Sequence, residues 1–395
     1  MLSLSPLTLP TTHQSLTTLI KNFSACSYMT LFLCNFVGLN KTTFVDKRTF
    51  YYSIEKTMPI SKQYNYSLRE HNTFGIDAIA QQFITYDTVD ELIAILNEIR
   101  DKGQRILHIG SGSNLLFTKD FDGVVLHSNI KFIQFVSQNN QEIIVRVGAG
   151  VVWDDLCSLM AQKNYYGSEN LSYIPGEVGA AAVQNIGAYG VEVESIIQEV
   201  ETIEIATALP RAFKAHECEY GYRDSIFKNQ LQGQYIVTAV VFRLSTIPAL
   251  HLDYGQLRDL QSSTETPTAQ SIRDAVIAIR KYKLPEPNEL GSAGSFFKNP
   301  VVPVELFNDL AAVYSEIPHY VINDTQVKIP AAWLIDQCGW KGKCHGGAAV
   351  YEKQPLIIVN KNQATPADIM ELASLIQQNV YNKFKIKIYP EVNYI

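Results

Sequence analysis

The 395-residue chain has no run of the roughly 18 consecutive apolar residues that a membrane-spanning helix needs, so none is expected. Charge is sparse and nearly balanced: 33 Lys and Arg against 39 Asp and Glu leave a net charge of −6. The densest cationic segment is Arg280-Lys281-Tyr282-Lys283, which argues against a nucleic-acid or anionic-membrane surface. Six cysteines are scattered at Cys26, Cys34, Cys157, Cys218, Cys338 and Cys344, with no C-x2-C pair and no histidine at zinc spacing. No metal site is expected, and free thiols in a reducing cytoplasm are. Dinucleotide and P-loop fingerprints are missing too. Gly110-Ser-Gly-Ser-Asn114 carries Leu115 where G-x-G-x-x-G needs its last glycine, and no Gly-Lys-Ser/Thr comes after it.

What is present is a large potential core. Apolar residues make up 46% of the chain, and its length suits two or three domains. Residues 1–57 are rich in Ser, Thr, Leu, Phe and Asn and poor in acids, and are expected to be a poorly ordered or artefactual extension before Met58. From about Asn72 the pattern sharpens. Thr88 and Glu91 form a capping box ahead of helically spaced Val89, Leu92, Ile93, Leu96 and Ile99, and Gly103 stops the helix. Strands are expected at 105–109, 123–128, 142–150, 197–206 and 235–244, and helices at 153–162 and 268–281. A last helix starts at Thr365-Pro366 with proline at its first position, and a strand over 384–388 leads to Pro390-Glu391-Val392. Strands and helices mix without a regular βαβ repeat, which predicts an α+β fold.

Two glycine-rich segments stand out. Gly110–Asn114 leaves a strand where backbone N–H groups come close to an anion, though a tight turn explains it equally. Residues 174–190, "IPGEVGAAAVQNIGAYG", supply four glycines among mostly apolar side chains, as a flat ring lying against backbone would require. Together they suggest a cofactor with phosphates and a flat ring system. Three polar residues have unusual frames. Arg223 in "GYRDSIFK" is either half of a surface ion pair or a guanidinium held by Asp224 and aimed at a carboxylate or oxyanion. Ser295 in "NELGSAGSFFKNP" is a cap or turn hydroxyl, or a proton donor among glycines and rings. It has no G-x-S-x-G frame for a nucleophile. Two glycines so close together would weaken a helix or a strand there. Glu391 is a solvated tail carboxylate or an acid positioned by Pro390.

The segments "NTFGIDA", "GSGSNLLF", "IPGEVGAAAVQNIGAYG", "YGYRDSIFK", "GSAGSFFKNPVV" and "AAWLIDQCGWKG", in this order, resemble the UDP-N-acetylenolpyruvoylglucosamine reductase family in its long, type I form, over Tyr66 to Ile395. The resemblance implies an FAD domain of the vanillyl-alcohol-oxidase (PCMH) type in two subdomains, residues 58–134 and 135–284, and a smaller α+β substrate domain, 285–384. The terminal strand 385–395 returns to the first subdomain. FAD contacts are implied for Gly110, Ser111, Gly112, Ser113, Asn114, Ile174, Pro175, Gly176, Gly179, Ala180, Asn185, Gly187, Ala188, Tyr189 and Gly190. NADPH is implied as reductant and the enolpyruvyl ether of UDP-N-acetylglucosamine as substrate, with hydride passing from flavin N5 to C3 in peptidoglycan precursor synthesis.

By the same resemblance Ser295 protonates C2, while Arg223 and Glu391 stabilise the enolate. Tyr254, Lys283, Asn299 and Gln354 hold the substrate, with Tyr254 the mobile tyrosine over the diphosphate. Asn393 stands where the type I enzymes commonly carry an arginine, so no second cation beside Glu391 is expected from that position. The implied enzyme is a cytoplasmic monomer. The rivals are another flavin oxidoreductase, such as an alcohol oxidase, and a non-catalytic nucleotide-sugar binder.

Overall fold

The structure, a computed structural model, describes residues 60–262, 266–286 and 288–395. The expectation for residues 1–57 therefore lies outside the described residues. Among these residues no helix is long and apolar enough to cross a membrane. A first sheet runs in the order Ser61–Ser67, Ile79–Tyr86, Phe121–Ser128, Ile106–Ile109, and the last three of these strands are parallel. Helix α1, Val89–Lys102, crosses between two of them. Thr88 and Glu91 close the expected capping box, and Gly103 ends the helix at φ +62°. A second, five-stranded antiparallel sheet has the order Pro210–Lys214, Ile197–Glu204, Tyr235–Ser245, Glu142–Gly148, Ile133–Gln138. Helices α2, Trp153–Gln162, and α3, Val178–Gln184, pack with it through Val145, Val147, Trp153, Val178 and Ala182. Helix α4, Ala269–Lys283, is capped by Thr268.

The last third builds a four-stranded antiparallel sheet, in the order Gly291–Ser295, Ile357–Asn360, Ala348–Val350, Cys344–His345, and a three-stranded one, Val301–Pro303, Gln326–Lys328, Tyr320–Asn323. Helices α5, Val304–Val313, α6, Ala331–Gln337, and α7, Pro366–Phe384, belong to this part. Mixed sheets and helices make the α+β class a plain finding.

Three local expectations are corrected. Residues 174–190, for which no helix or strand was expected, hold α3 in their middle, and Gly187–Ala188 pairs with Val191–Glu192 as a short hairpin. Alanines at 180–182 explain this, since they are the best helix formers and small enough to lie against the sheet. The stretch 291–295 is a strand despite its glycines. The cost is absorbed by a register shift between Ser292 and Ser295, where Gly294 takes φ +69°. Phe296 and Phe297, at 0% and 1% exposure, anchor the end of this strand in the core. Burial of each ring stabilises the fold by about 1.5–3 kcal/mol. Finally, the strand expected at 384–388 is absent, because α7 continues through Phe384 and Lys385 ends it at φ +59°. The chain instead bridges Pro390 to Phe297 and pairs Asn393–Tyr394 in parallel with Leu115–Leu116.

That last pairing positions the site. Leu115 directly succeeds the first glycine loop, so pairing Asn393 with it carries Glu391 to the mouth of that loop. The Glu391 N–H donates to the Phe296 carbonyl at 2.8 Å, and Asn114 Nδ2 donates to the Glu391 carbonyl at 3.2 Å. Segments nearly 280 residues apart in sequence thus share one wall.

Candidate active site

Both glycine segments, the Arg223 turn, the 291–299 stretch and Glu391 line one cavity of about 750 Å³. The volume falls within the range of small-molecule and cofactor sites. Two hydrogen bonds tie its two glycine segments together. Ser113 Oγ donates to the Pro175 carbonyl at 3.0 Å, and Asn114 Nδ2 donates to Gln184 Oε1 at 3.1 Å. Gly112 sits at φ +69°, where a side chain would drive its Cβ into the His71 carbonyl oxygen and to 2.8 Å from Asn72 Cα. Gly112→Ala is therefore expected to lower the denaturation midpoint far more than Gly103→Ala. Gly103 has a similar φ of +62° but open space around it, so its variant bears only the roughly 1–3 kcal/mol of left-handed strain. Equal shifts in the two melts would mean that backbone around His71 yields.

The loops fit a cofactor that brings its own hydrogen-bonding oxygens. Ser111 Oγ and Thr73 Oγ1 are buried in the cavity wall without a partner among the described residues. Such groups cost about 1–3 kcal/mol unless a ligand satisfies them. Among the fifteen expected flavin contacts, the cavity is lined by Gly110, Ser111, Gly112, Ser113, Asn114, Ile174, Pro175, Gly176, Gly179, Ala180, Gly187, Ala188 and Tyr189. Asn185 and Gly190 lie off it. Asn185 is fully buried and braces backbone, donating to the Gly221 carbonyl at 2.8 Å and accepting from the Glu194 N–H at 3.1 Å. Gly190, at φ +83°, turns the hairpin beside Tyr254.

Arg223 occupies the left-handed region at φ +56° within the short Gly221–Asp224 bridge. The expected partner, Asp224, does not hold it. Asp224 instead accepts from the Ser225 N–H at 3.1 Å and from Asn229 Nδ2 at 3.0 Å, because the turn points its carboxylate back along its own loop. The guanidinium is held by Glu192 Oε1, 2.8 Å from Nη1, and by the Gly187 carbonyl, to which Nη2 donates. Its Nε lies 3.4 Å from Glu391 Oε1.

Glu391 is 17% exposed at its side chain. Burial pushes its carboxyl above the usual range against the pull of Arg223, Lys228 and Lys298. Both lysines come from elsewhere in the chain, so cations flank Glu391 although position 393 holds Asn. Asn393 itself donates to the Asn114 carbonyl at 3.3 Å. Lys228 Nζ donates to Gln184 Oε1 at 3.0 Å and to the Arg223 carbonyl at 2.8 Å, while burial lowers its own pKa.

Ser295 faces the cavity, exposed, and its hydroxyl bonds to no described residue. Asn299 Nδ2 donates to the Tyr222 hydroxyl at 3.3 Å, and its Oδ1 accepts from the Ala331 N–H at 2.9 Å. Lys283, Gln354 and Tyr254 complete the wall. Tyr254 stacks on Tyr320 with ring centroids 5.9 Å apart and meets Tyr189 edge-on at 6.0 Å. All seven expected catalytic and substrate residues therefore share one cavity.

Sequence reasoning missed Thr73, Glu192, Lys228, Arg280 and Lys298. Arg280 carried a signal, since it precedes Lys283 by three residues on α4 and so shares its face. Its Nε donates to the Tyr173 carbonyl at 3.0 Å, and burial lowers its pKa. Glu192 carried none, being 31 residues from the arginine it holds.

Comparison with known proteins agrees with this architecture. Residues 80–208 match the family model described as FAD binding domain, and residues 286–395 match UDP-N-acetylenolpyruvoylglucosamine reductase, C-terminal domain. The reductase of that name from Bacteroides fragilis is 51% identical over 330 residues, 84% of this chain and 99% of that protein. Its counterpart from Porphyromonas gingivalis is 46% identical over 332 residues, 84% of this chain and 98% of that protein. The crystal structure of the Thermus caldophilus enzyme shares the fold, with a TM-score of 0.59 at 22% identity over 85% of this chain and 99% of that one. Identity of 51% across almost the full length of a relative, with the cofactor and C-terminal domain models matched in order, shows that the chain belongs to the UDP-N-acetylenolpyruvoylglucosamine reductase family of FAD-dependent oxidoreductases.

Proposed function

We propose that the protein reduces UDP-N-acetylglucosamine enolpyruvate to UDP-N-acetylmuramate with NADPH as the reductant, as a cytoplasmic, monomeric enzyme of peptidoglycan precursor synthesis. The observation that carries this reading is the meeting of Ser295, Arg223 and Glu391 on one cavity wall beside the two glycine loops. When bound, FAD would supply the redox chemistry, a hydride relay between NADPH and C3 of the enolpyruvyl group. Thr73, Ser111 and the backbone of 110–114 and 174–180 would hold the cofactor. Addition at C3 pushes electron density through C2 into the carboxylate, so the protein's task is to stabilise an enolate and then protonate C2.

Arg223 supplies a fixed positive charge for the developing oxyanion, already oriented and partly withdrawn from water. Glu391, its pKa raised by burial, donates a hydrogen bond to the same carboxylate when it carries a proton. Ser295 delivers the proton to C2 from a strand held in place by Phe296 and Phe297. Lys283, Asn299, Gln354 and Tyr254 hold the substrate, with Tyr254 over its diphosphate. In this reading the cofactor half divides near 134/135 and meets the substrate half near 284/285.

The test is an absorbance assay of NADPH oxidation. Oxidation that requires UDP-N-acetylglucosamine enolpyruvate is the expected outcome, together with a yellow purified protein that releases FAD on denaturation. Turnover of simple alcohols without the nucleotide sugar would assign the chain to another flavin chemistry. A colourless protein that still binds the nucleotide sugar would make it a binder.

A further inference from the structure

Behind the cavity-lining Arg223 stands a carboxylate to which the family reading gives no task. Glu192 leaves the short hairpin after α3, at the end of the glycine-rich run, and its Oε1 takes Nη1 of Arg223 at 2.8 Å. Its other oxygen is not idle: Asn185 Nδ2, from a fully buried residue at φ +45°, donates to Oε2 at 3.2 Å. The Gly187 carbonyl takes Nη2. Gly187 has room for neither a Cβ nor a shift, because an added Cβ would strike Arg223 Nη1 and lie 2.8 Å from Glu192 Cγ. Asn185 also donates to the Gly221 carbonyl, which opens the bridge carrying Arg223. Two residues of one hairpin, Glu192 and Gly187, thus clamp two of the three guanidinium nitrogens, with Asn185 bracing Glu192 from behind, and leave Nε facing Glu391 at 3.4 Å.

We infer that Glu192 is a positioning residue for the reduction step, which with Asn185 and the Gly187 carbonyl fixes the edge of Arg223 that faces the substrate. The inference rests on the proposed reductase activity. Its physical basis is that an arginine side chain has several rotatable bonds, and an oxyanion donor is effective only when its direction is set before charge develops. Asn185, off the cavity yet buried and held by three hydrogen bonds, thereby gains a role: it orients the carboxylate that orients the arginine. The clamp is also electrostatic. Glu192 faces Arg223, Glu194 and Lys328, and Glu391 faces Arg223, Lys228 and Lys298. Burial raises the pKa of Glu192 against the pull of Arg223, and in its ionised form it offsets part of the positive charge that would otherwise draw a proton off Glu391.

Two variants separate geometry from charge. Glu192→Ala frees the guanidinium. Glu192→Gln keeps an oxygen to accept from Nη1 but removes the charge. Stopped-flow absorbance of the FAD-loaded enzyme reads the half-reactions separately, and thermal melts check the fold. Expected for Glu192→Ala are an unchanged melt, unchanged flavin reduction by NADPH, and reoxidation at saturating substrate slower by about 10²-fold, the loss typical of a misplaced catalytic group.

Glu192→Gln is expected to recover most of that rate. Its alkaline limb of reoxidation should lie at lower pH than in the wild type, because Glu391 then meets the full charge of Arg223 and gives up its proton sooner. Wild-type reoxidation by Glu192→Ala, or an equal loss in both half-reactions, overturns the inference, and so does a Glu192→Gln limb at the wild-type pH. A wild-type enzyme whose flavin the substrate does not reoxidise at all is a different failure, that of the reductase reading itself.

Discussion

Ser295→Ala is expected to leave flavin reduction by NADPH untouched and to slow reoxidation by the enolpyruvyl substrate by about 10²–10⁴-fold, the usual contribution of a positioned general acid. The split arises from where the hydroxyl stands. Ser295 points into the cavity from a bulged strand and bonds to no described residue, so removing its oxygen strands no buried partner. The strand keeps its anchor, since Phe296 and Phe297 are buried and the Phe296 N–H and carbonyl remain bonded to Leu356 and Glu391. A loss confined to the half-reaction that needs a proton at C2 is then a loss of chemistry. Equal loss in both halves would mean that the side chain only shapes the site, and the proton would have to come from elsewhere.

The second large effect is expected at Glu391. Glu391→Ala should lower the reoxidation rate by about 10²–10³-fold, as removal of one oxyanion-stabilising donor generally does. Glu391→Gln should lose less, because an amide still donates a hydrogen bond. The pH profile carries the stronger test. Burial raises the carboxyl of Glu391 despite Arg223, Lys228 and Lys298, so the donating form is lost as pH rises through the folded-state value. Wild-type reoxidation should fall along that alkaline limb, and Glu391→Gln should run flat through it. A limb that persists in Glu391→Gln would assign the titration to another group.

Stability should track the same group. A carboxyl raised on folding stabilises the native state while it is protonated, and that contribution is lost as pH rises through its folded value. Thermal melts should therefore show the wild type falling behind Glu391→Gln on the alkaline side, with the two converging in acid. The residue that serves the reaction is then one whose charged form the fold tolerates poorly, a common feature of active sites.

Features set by local chemistry were legible in the amino-acid order. Thr88 with Glu91, Thr268, and Thr365 with Pro366 mark helix starts through hydrogen bonds that span three residues, and all three helices begin there. The glycine-rich segments mark places where backbone must come close to something, because a missing side chain is itself local information. Ordered motifs carried the family, and with it the choice of Ser295, Arg223 and Glu391 as candidates, which share one cavity.

Which groups meet was decided in three dimensions. Asp224, adjacent to Arg223, was the natural partner along the chain, yet Glu192 holds the guanidinium from 31 residues away. Lys228 and Lys298 act on the Glu391 carboxyl together with Arg223, from loops that nothing in their spelling connects to the C-terminus. Asn185 lay in a segment read as cofactor contact and proved to be the brace behind it. The physical reason is common to all of these. Charge–charge attraction and burial depend on distance and dielectric in space, and those are set by the 187–192 hairpin and the 221–224 bridge around Arg223 and by the pairing of 115–116 with 393–394 around Glu391.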